Sequence, residues 1–410
     1  MKEKIFSKYQ AFVIILLVFL NFIVFLDFVI LTPLGPLILR QLSITTAQYA
    51  WVVSVYAFCA GISGFLAAGF ADKFDRKKIL VFSLAGFIIG TLMCAIAPDY
   101  NFLLIGRVVT GSFGGILSGI GPAIITDLFK MEIRGRVIGY VQMAPGLSQV
   151  SGIPLALLIS NHFGWHAAFW IIVITGILLG IAVVFWMRPV TDHLKREITH
   201  NAFFHLIQTI SKPNYLLAYA SSMILMLAVW MILPFNAAFI TNNAAISMSQ
   251  LTILYLVSGV ATFISAPIIG KLCDRFGKFN VLLTGSAISL LIIPYYTSLG
   301  PTALWLMIIL NIIFFVAILS RMISVSSLIT GVPEPQDRGA FMSINGSIQQ
   351  IAGGMAAGAA GLIVVQSSGG SILHYNILGF YIMATIVALV AVTYFVNRFV
   401  KIKAKAIIKG

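Results

Sequence analysis

Long apolar runs separated by short charged gaps recur from one end of the chain to the other. A helix crossing ~30 Å of hydrocarbon needs about 20 mostly apolar residues. Twelve stretches meet that length: 11–39, 49–70, 79–97, 102–128, 137–160, 167–187, 214–240, 250–270, 279–298, 303–330, 339–365 and 375–397. Barrel strands would alternate apolar and polar positions over about 10 residues. These runs are continuous instead, and rich in Gly and Ala, which let helices approach closely. The pattern predicts an all-α membrane protein with twelve transmembrane helices.

Composition removes the soluble alternative. Of 410 residues, 60% are hydrophobic and 9% charged, whereas a soluble domain carries about a quarter charged residues. The net charge of +14 would suggest nucleic acid in a soluble protein, but its placement points to membrane topology. With the N-terminus in the cytoplasm, 23 of the 26 Lys and Arg residues fall in cytoplasmic loops and tails; the others are Arg40 in an external loop and Arg107 and Arg321 inside helices. The expectation is a multi-pass protein of the plasma membrane, in bacteria the inner membrane, with both termini cytoplasmic. The basic segment Met1–Tyr9 leads into an apolar stretch longer than a signal-peptide core, with no small-residue cleavage site before Asp27, so the first helix is expected to be retained. Three cysteines cannot all pair, and Cys59 and Cys94 lie in apolar segments while Cys273 lies in a charged loop. Neither a disulfide nor a metal site is expected.

A duplication organises the chain. The loop Gly270–Lys278 has a degraded copy at Ala68–Lys77, 202 residues earlier (270 less 68), and Arg338-Gly339 repeats Arg134-Gly135 at 204 (338 less 134). The longest polar stretch, 188–212, separates the halves; its Phe203, Phe204, Leu206 and Ile207 beside Lys195 and Arg196 suit an amphipathic segment on the cytoplasmic surface. This gives two pseudo-symmetric six-helix bundles, 1–188 and 213–410, joined by a linker at 189–212. Carriers are commonly built from such repeats, with the substrate site between them near mid-membrane.

The loop Gly270-Lys271-Leu272-Cys273-Asp274-Arg275-Phe276-Gly277-Lys278 resembles the cytoplasmic loop signature of the major facilitator superfamily, and the resemblance extends over the whole chain. The first copy keeps Asp72, Lys73, Arg76 and Lys77, with Ala68 and Asp75 in place of its glycines. Arg107 followed by Gly111 is similar to the motif of proton-coupled carriers. Gly146 with Gly152-Ile153-Pro154, and Gly164-Trp165 followed by Phe169, resemble the drug:proton antiporter and sugar-efflux branch, although Ala156 and Leu157 stand where its antiporter motif favours glycine. The resemblance implies alternating access, proton coupling and export.

Few residues are available for mechanism. Asp27 is the carboxylate placed well inside a helix, ~24 Å along the first helix at ~1.5 Å per residue, and an acid there normally faces a cavity or a partner. Arg107 lies at a similar depth in the fourth helix, so the two are expected to pair across the central cavity and form the proton-coupling site. Burial and a guanidinium act on a carboxyl's protonation in opposite senses, so moving Arg107 would load and release a proton. The alternatives are a carboxylate that structures the helix end beside Pro33 and Pro36, and an arginine that snorkels to the headgroups. Asn21, Gln149, Asn236, Asn311 and Gln349 are candidate cavity liners, with interhelical hydrogen bonding as the competing role. Arg321, near the cytoplasmic end of the tenth helix, is a candidate for substrate contact, snorkelling or the inner gate. Asp72, Arg76, Asp127, Asp274, Arg275 and Gly277 are expected to form that gate. An Arg76–Asp127 pair would hold one bundle together, and Asp72 and Asp274 would each sit at a helix N-terminus of the opposite bundle when the inside is closed.

Other chemistries fit poorly. The runs Gly111–Gly121 and Gly353–Gly361 lack the Gly-Lys-Ser/Thr of a phosphate loop, and the six histidines all fall in loops or at helix ends, which argues against an enzyme. No cofactor is expected. The reading is a monomeric secondary transporter in the lipid bilayer, exporting a small amphipathic solute such as a drug-like compound, sugar or metabolite against inward proton flow. Proton-coupled uptake of a sugar- or nucleoside-like metabolite, or a non-transporting receptor, are the competing readings.

Overall fold

The computed structural model describes residues 6–70, 73–191, 194 and 202–409. Its first bundle comprises α1 (Lys8–Val29), α2 (Leu31–Gln41), α3 (Thr46–Phe70), α4 (Arg76–Ala95), α5 (Tyr100–Leu128), α6 (Met131–Val141), α7 (Ala144–Leu147), α8 (Ile153–Phe163) and α9 (His166–Trp186). After α10 (Ala202–Ile210), the second bundle runs through α11 (Pro213–Trp230), α12 (Leu233–Asn242), α13 (Met248–Phe276), α14 (Lys278–Tyr296), α15 (Leu304–Ile329), α16 (Arg338–Ile363) and α17 (Tyr375–Lys409). Between α16 and α17 lies a short antiparallel pair, β1 (Val365–Gln366) and β2 (Ile372–Leu373).

Among the described residues, eleven spans are long and apolar enough to cross a membrane, with α6–α8 and α11–α12 each acting as one span. The twelfth predicted stretch is α16. At 26 residues it is ~39 Å long, but Asn345, Gln349, Gln350 and its glycines leave it too polar to be counted with the others. Its surroundings explain the composition. It packs along α3 of the opposite bundle, where a Cβ on Gly361 would lie 2.1 Å from Ala50 Cβ and one on Gly354 3.0 Å from the Ser54 carbonyl. A helix that buries its surface against backbone needs small residues more than lipid-soluble ones.

Helix ends are set locally. Ser7 with Gln10, and Ser247 with Gln250, form capping boxes at the starts of α1 and α13, which satisfy backbone donors that hydrocarbon would leave unpaired. Asp75 caps α4 by accepting from Lys77 N at 2.9 Å, and the same oxygen accepts from Val190 N at 2.9 Å, tying the end of α9 to the start of α4. Its counterpart in the second copy, Gly277, has φ +90° and serves instead as a sharp turn between α13 and α14.

The basic loops and both ends of the described chain lie at one end of the molecule, here the basic end. The two bundles touch chiefly at the other, far end. There Thr46 Oγ1 donates to the Val364 carbonyl at 2.6 Å, Asn161 Nδ2 reaches the Met248 carbonyl at 3.3 Å, and the Tyr49 and Phe235 rings meet edge to face. The contacts continue inward as far as Gly61 against Ile351 on one seam and Gly146 against Phe263 on the other. Beyond them, Gly135 and Gly139 of α6, Gly270 of α13 and Gly339 and Gly346 of α16 have open space where a Cβ would stand. The bundles are closed at the far end and parted at the basic end.

Helix α10 packs against both α3 and α16, with Leu206 buried and Ile207 exposed, an amphipathic arrangement. Lys195, Arg196 and the side chains of Phe203 and Phe204 lie outside the described residues. Lys212 pairs with Asp337 at the start of α16, and this hydrogen bond raises the lysine's pKa above its ordinary value.

Close helix approach within the first bundle is tested by a pair of substitutions one turn apart. A Cβ on Gly115 would fall 2.2 Å from the Ala60 carbonyl oxygen, whereas one on Gly119 meets nothing within 4 Å. Gly115→Val is expected to destabilise the protein by about 1–3 kcal/mol through overpacking. Gly119→Val should stay near wild type, read as melting temperature in detergent.

Candidate functional site

The tight crossing of α3 and α5 positions the first charged pair. Gly111 and Gly115 face the backbone of Tyr56 and Ala60, where a Cβ would come within 2.5 and 2.2 Å. This close approach brings the Tyr56 ring under Arg107, whose guanidinium carbon sits 4.2 Å from the ring centroid. Arg107 Nη1 then donates to Asp27 Oδ2 at 2.8 Å and to the Asp27 carbonyl at 3.1 Å. Both residues are 0% exposed.

The pair differs from the expected one in its surroundings. Asp27 and Arg107 do not face each other across the central cavity; they meet inside the first bundle, among α1, α3 and α5. The reason is the glycine-dependent approach of α3, which supplies Tyr56 as a cover. The contact is also single rather than forked, since Asp27 Oδ1 and Arg107 Nε and Nη2 have no hydrogen-bond partner among the described residues. Such a buried pair is costly unless its remaining groups are hydrogen-bonded.

A separate cavity of about 80 Å³ lies between the bundles. Three interruptions of helix converge on it. The α1–α2 break at Ile30, followed by Pro33, contributes Val29, Thr32 and Pro33; the matching α11–α12 break, followed by Pro234, contributes Trp230 and Leu233. A π-helical turn at Ser148–Gly152 contributes Gln149, and such turns concentrate at functional sites. Tyr255, Ser258, Gly259 and Thr262 of α13, Phe315 of α15 and Ile153 complete the wall, so no charged side chain lines it. Gly259 permits the close approach of α13, because a Cβ there would stand 2.7 Å from the Gln149 carbonyl.

Of the predicted liners, Gln149 lines this cavity. Asn21 instead turns to the Val141 carbonyl at 3.3 Å, and Gln349 lies 3.5 Å from Ser222 Oγ. Asn236 and Asn311 are buried in a polar network behind the wall: the Tyr296 hydroxyl lies 2.8 Å from Asn236 Oδ1 and 3.0 Å from Asn311 Oδ1, and Asn311 Nδ2 donates to Ser258 Oγ at 2.8 Å. Ser258 therefore joins the network to the cavity surface. Arg321 neither snorkels nor reaches the cavity. It is buried against Gly285 of α14, held by a long contact from Nε to the Ala317 carbonyl at 3.4 Å. Among the aromatics, Trp230 and Phe315 line the cavity, Phe314 stacks on Tyr296, and Trp51 and Trp170 face outward.

At the basic end, Arg76 Nε pairs with Asp127 Oδ2 at 2.9 Å, joining α4 to α5 within one bundle. Asp274 and Arg275 are exposed at the end of α13, as is Gly277, and Asp274 makes no ion pair among the described residues. It does not cap α6, because the bundles are parted there. Asp72 lies outside the described residues. Composition and spacing gave no sign of Tyr56, Phe28 and Ser258, since an aromatic or serine in an apolar run looks the same whether it faces lipid or a site.

The comparisons agree with this architecture. The family model for the Major Facilitator Superfamily matches residues 17–226 and 218–409. Multidrug resistance protein 3 of Bacillus subtilis (strain 168) is 33% identical over 165 residues, which cover 40% of this chain and 32% of that protein. Putative transporter AraJ of Escherichia coli (strain K12) is 23% identical over 231 residues, 56% of this chain and 57% of its own. The matches thus span less than two thirds of either relative. A solved bacterial homolog of the human lysosomal transporter Spinster, described as inward-facing and occupied, superposes with a TM-score of 0.69 at 18% identity, covering 98% of each chain. With its helical bundles, duplicated loop and matched model, the chain belongs to the Major Facilitator Superfamily and is a multi-span membrane transporter, not an enzyme.

Proposed function

We propose that this transporter is a proton-coupled antiporter that exports a small, uncharged, amphipathic solute, with Asp27 and Arg107 as the proton-coupling pair. The observation that supports this most directly is the buried Asp27–Arg107 contact, in which a single guanidinium nitrogen meets a single carboxylate oxygen in a bundle interior. Such a pair is weak as a stabilising device, and a carboxylate inside the membrane points to function. The positive-inside rule places the basic end in the cytoplasm, so the closed far end and parted basic end correspond to a state open to the inside. Asp274 and Arg275 are exposed in that state and make no ion pair among the described residues, as inner-gate residues would.

The substrate class follows from the wall. A charged solute in this cavity would find no counter-charge, and desolvating it would be costly. Trp230, Phe315 and Leu233 suit an apolar or aromatic body. Gln149, Ser258 and Thr262 offer hydrogen bonds to one polar end. Ser258 accepts from Asn311, which leaves its own hydroxyl proton available to the cavity.

In proteoliposomes, Asp27→Asn is expected to reduce pH-gradient-driven flux to background while solute exchange without a gradient continues; Asp27→Glu, which keeps the carboxyl, should retain coupling. Unchanged gradient-driven flux in Asp27→Asn would refute the assignment. The solute is sought with inside-out vesicles and a pH-sensitive dye, across neutral amphipathic compounds and their cationic and anionic analogues. Proton release by neutral members alone supports the reading, and a response confined to charged ones overturns the substrate class. Ser258→Ala should then weaken the active compound by about 1 kcal/mol, close to five-fold, through loss of one hydrogen bond.

A further inference from the structure

A continuous file of side chains runs from the cavity to the buried ion pair. Trp230, carried by the second bundle, lines the cavity. Its ring lies 4.5 Å from that of Phe28 in the first bundle, and Phe28 stacks on Tyr56 at 5.4 Å with the ring planes 28° apart. Tyr56 supports the Arg107 guanidinium at 4.2 Å, and Arg107 holds Asp27 at 2.8 Å. Phe28 follows Asp27 in sequence and precedes Val29, which itself lines the cavity. Its ring therefore stands at the boundary between the two compartments.

The Phe28–Trp230 contact combines two properties that no other contact in the file has together. It is purely aromatic, so it offers a proton no hydrogen-bonded path. It also crosses between the bundles, whereas Phe28–Tyr56 and Tyr56–Arg107 lie within the first. Trp230 is backed by α16 of its own bundle, where a Cβ on Gly353 would come 3.1 Å from Trp230 Cδ1, so its ring moves with that bundle. Any rocking of one bundle against the other makes or breaks this contact while leaving the ion pair's own supports in place.

We infer that Phe28 and Trp230 form an aromatic door between the solute cavity and the Asp27–Arg107 pair, shut in this structure and opened when the second bundle carries Trp230 away from Phe28. Access of protons to Asp27 is thereby tied to the position of the bundles. The inference rests on Asp27 being the proton site, and it adds two positioning residues that do not touch the proton.

The door is tested without any solute. Full-length protein in proteoliposomes is treated with dicyclohexylcarbodiimide, an apolar reagent for protonated carboxyls, and modification of Asp27 is followed by peptide mass spectrometry, with Asp27→Asn as the blank. Phe28→Ala and Trp230→Ala are expected to label about ten-fold faster than wild type, the size of effect found along coupling paths, and to raise proton leak measured by an internal pH dye. Phe28→Leu fills the space without stacking and guards against misfolding; it should shift both readouts in the same direction. Trp230→Phe should restore the wild-type labelling rate. Wild-type labelling and leak in both Phe28→Leu and Trp230→Ala, with Asp27→Asn still uncoupled, would overturn the door alone. Proton-coupled flux surviving in Asp27→Asn would overturn the functional reading beneath it.

Discussion

Hydrocarbon solvates no charge, and the first bundle is arranged around a place where the chain keeps two fully buried charges, Asp27 and Arg107. Asp27 and Arg107 are tolerable only because α3 comes close enough to cover them, and α3 comes that close only because Gly111 and Gly115 leave room for the backbone at Tyr56 and Ala60. The glycine stripe, the tyrosine beneath the guanidinium and the ion pair are thus one unit. Removing a partner from a buried pair costs about 3–5 kcal/mol, which explains why the pair is enclosed by rigid helix crossings and not by loops.

The two bundles share a fold and divide the chemistry. The duplication offset near 202–204 pairs Arg107 with Asn311 and Tyr56 with Ser258. Where the first bundle holds a guanidinium over a ring, the second holds an amide hydrogen-bonded to a hydroxyl. The same contrast recurs at the basic end: Arg76 pairs with Asp127, while its counterpart Lys278 donates to the Ser327 carbonyl at 2.8 Å. Asp75 caps α4 where Gly277 makes a turn. At these paired positions the first repeat makes ion pairs and the second makes hydrogen bonds to neutral groups, a division that would suit the proposed handling of a proton and a solute.

How much of this was legible in the sequence depends on the kind of information each feature needs. Helix existence and the repeat are written in runs of apolar residues and in the paired loops, and both appear in the structure. The proximity of Asp27 and Arg107 followed from depth alone, because helices that start at opposite ends bring residues to the same level. Facing direction was not readable. In membrane helices every side is apolar, so periodicity does not separate the side facing lipid from the side facing a cavity. Asn21 and Gln149 are therefore indistinguishable in sequence, yet the first turns to a backbone carbonyl and the second to the cavity. The break at Ile30 and the π-helical turn at Ser148–Gly152 were hidden for a related reason, since Ser148, Gln149 and Ser151 do not by themselves signal a change of helix type and only Pro33 and nearby prolines hint at the interruptions. The twelfth predicted stretch is the helix α16, and its apolar character falls short of the other eleven because its polarity reflects contact with α3, a partner distant in sequence.

In the proposed mechanism, the arrangement of contacts gives coupling no need of a long-range device. Solute wall, aromatic file and ion pair all lie on segments that meet at the helix breaks at Ile30 and Met231, close to where the bundles touch. A rigid-body rotation about the far-end contacts displaces groups in proportion to their distance from those contacts. Residues at the basic end, such as Asp274 and Arg275, would then undergo the largest excursions, as the proposed inner gate requires. Phe28 and Trp230, nearer the pivot, move by amounts comparable to a ring contact. A change of that size is enough to open or seal a proton path, because dispersion between two rings falls away over a fraction of an ångström to a few ångströms. On the proposed reading, the same rotation would produce a large opening for the solute and a small switch for the proton, each set by its distance from one pivot.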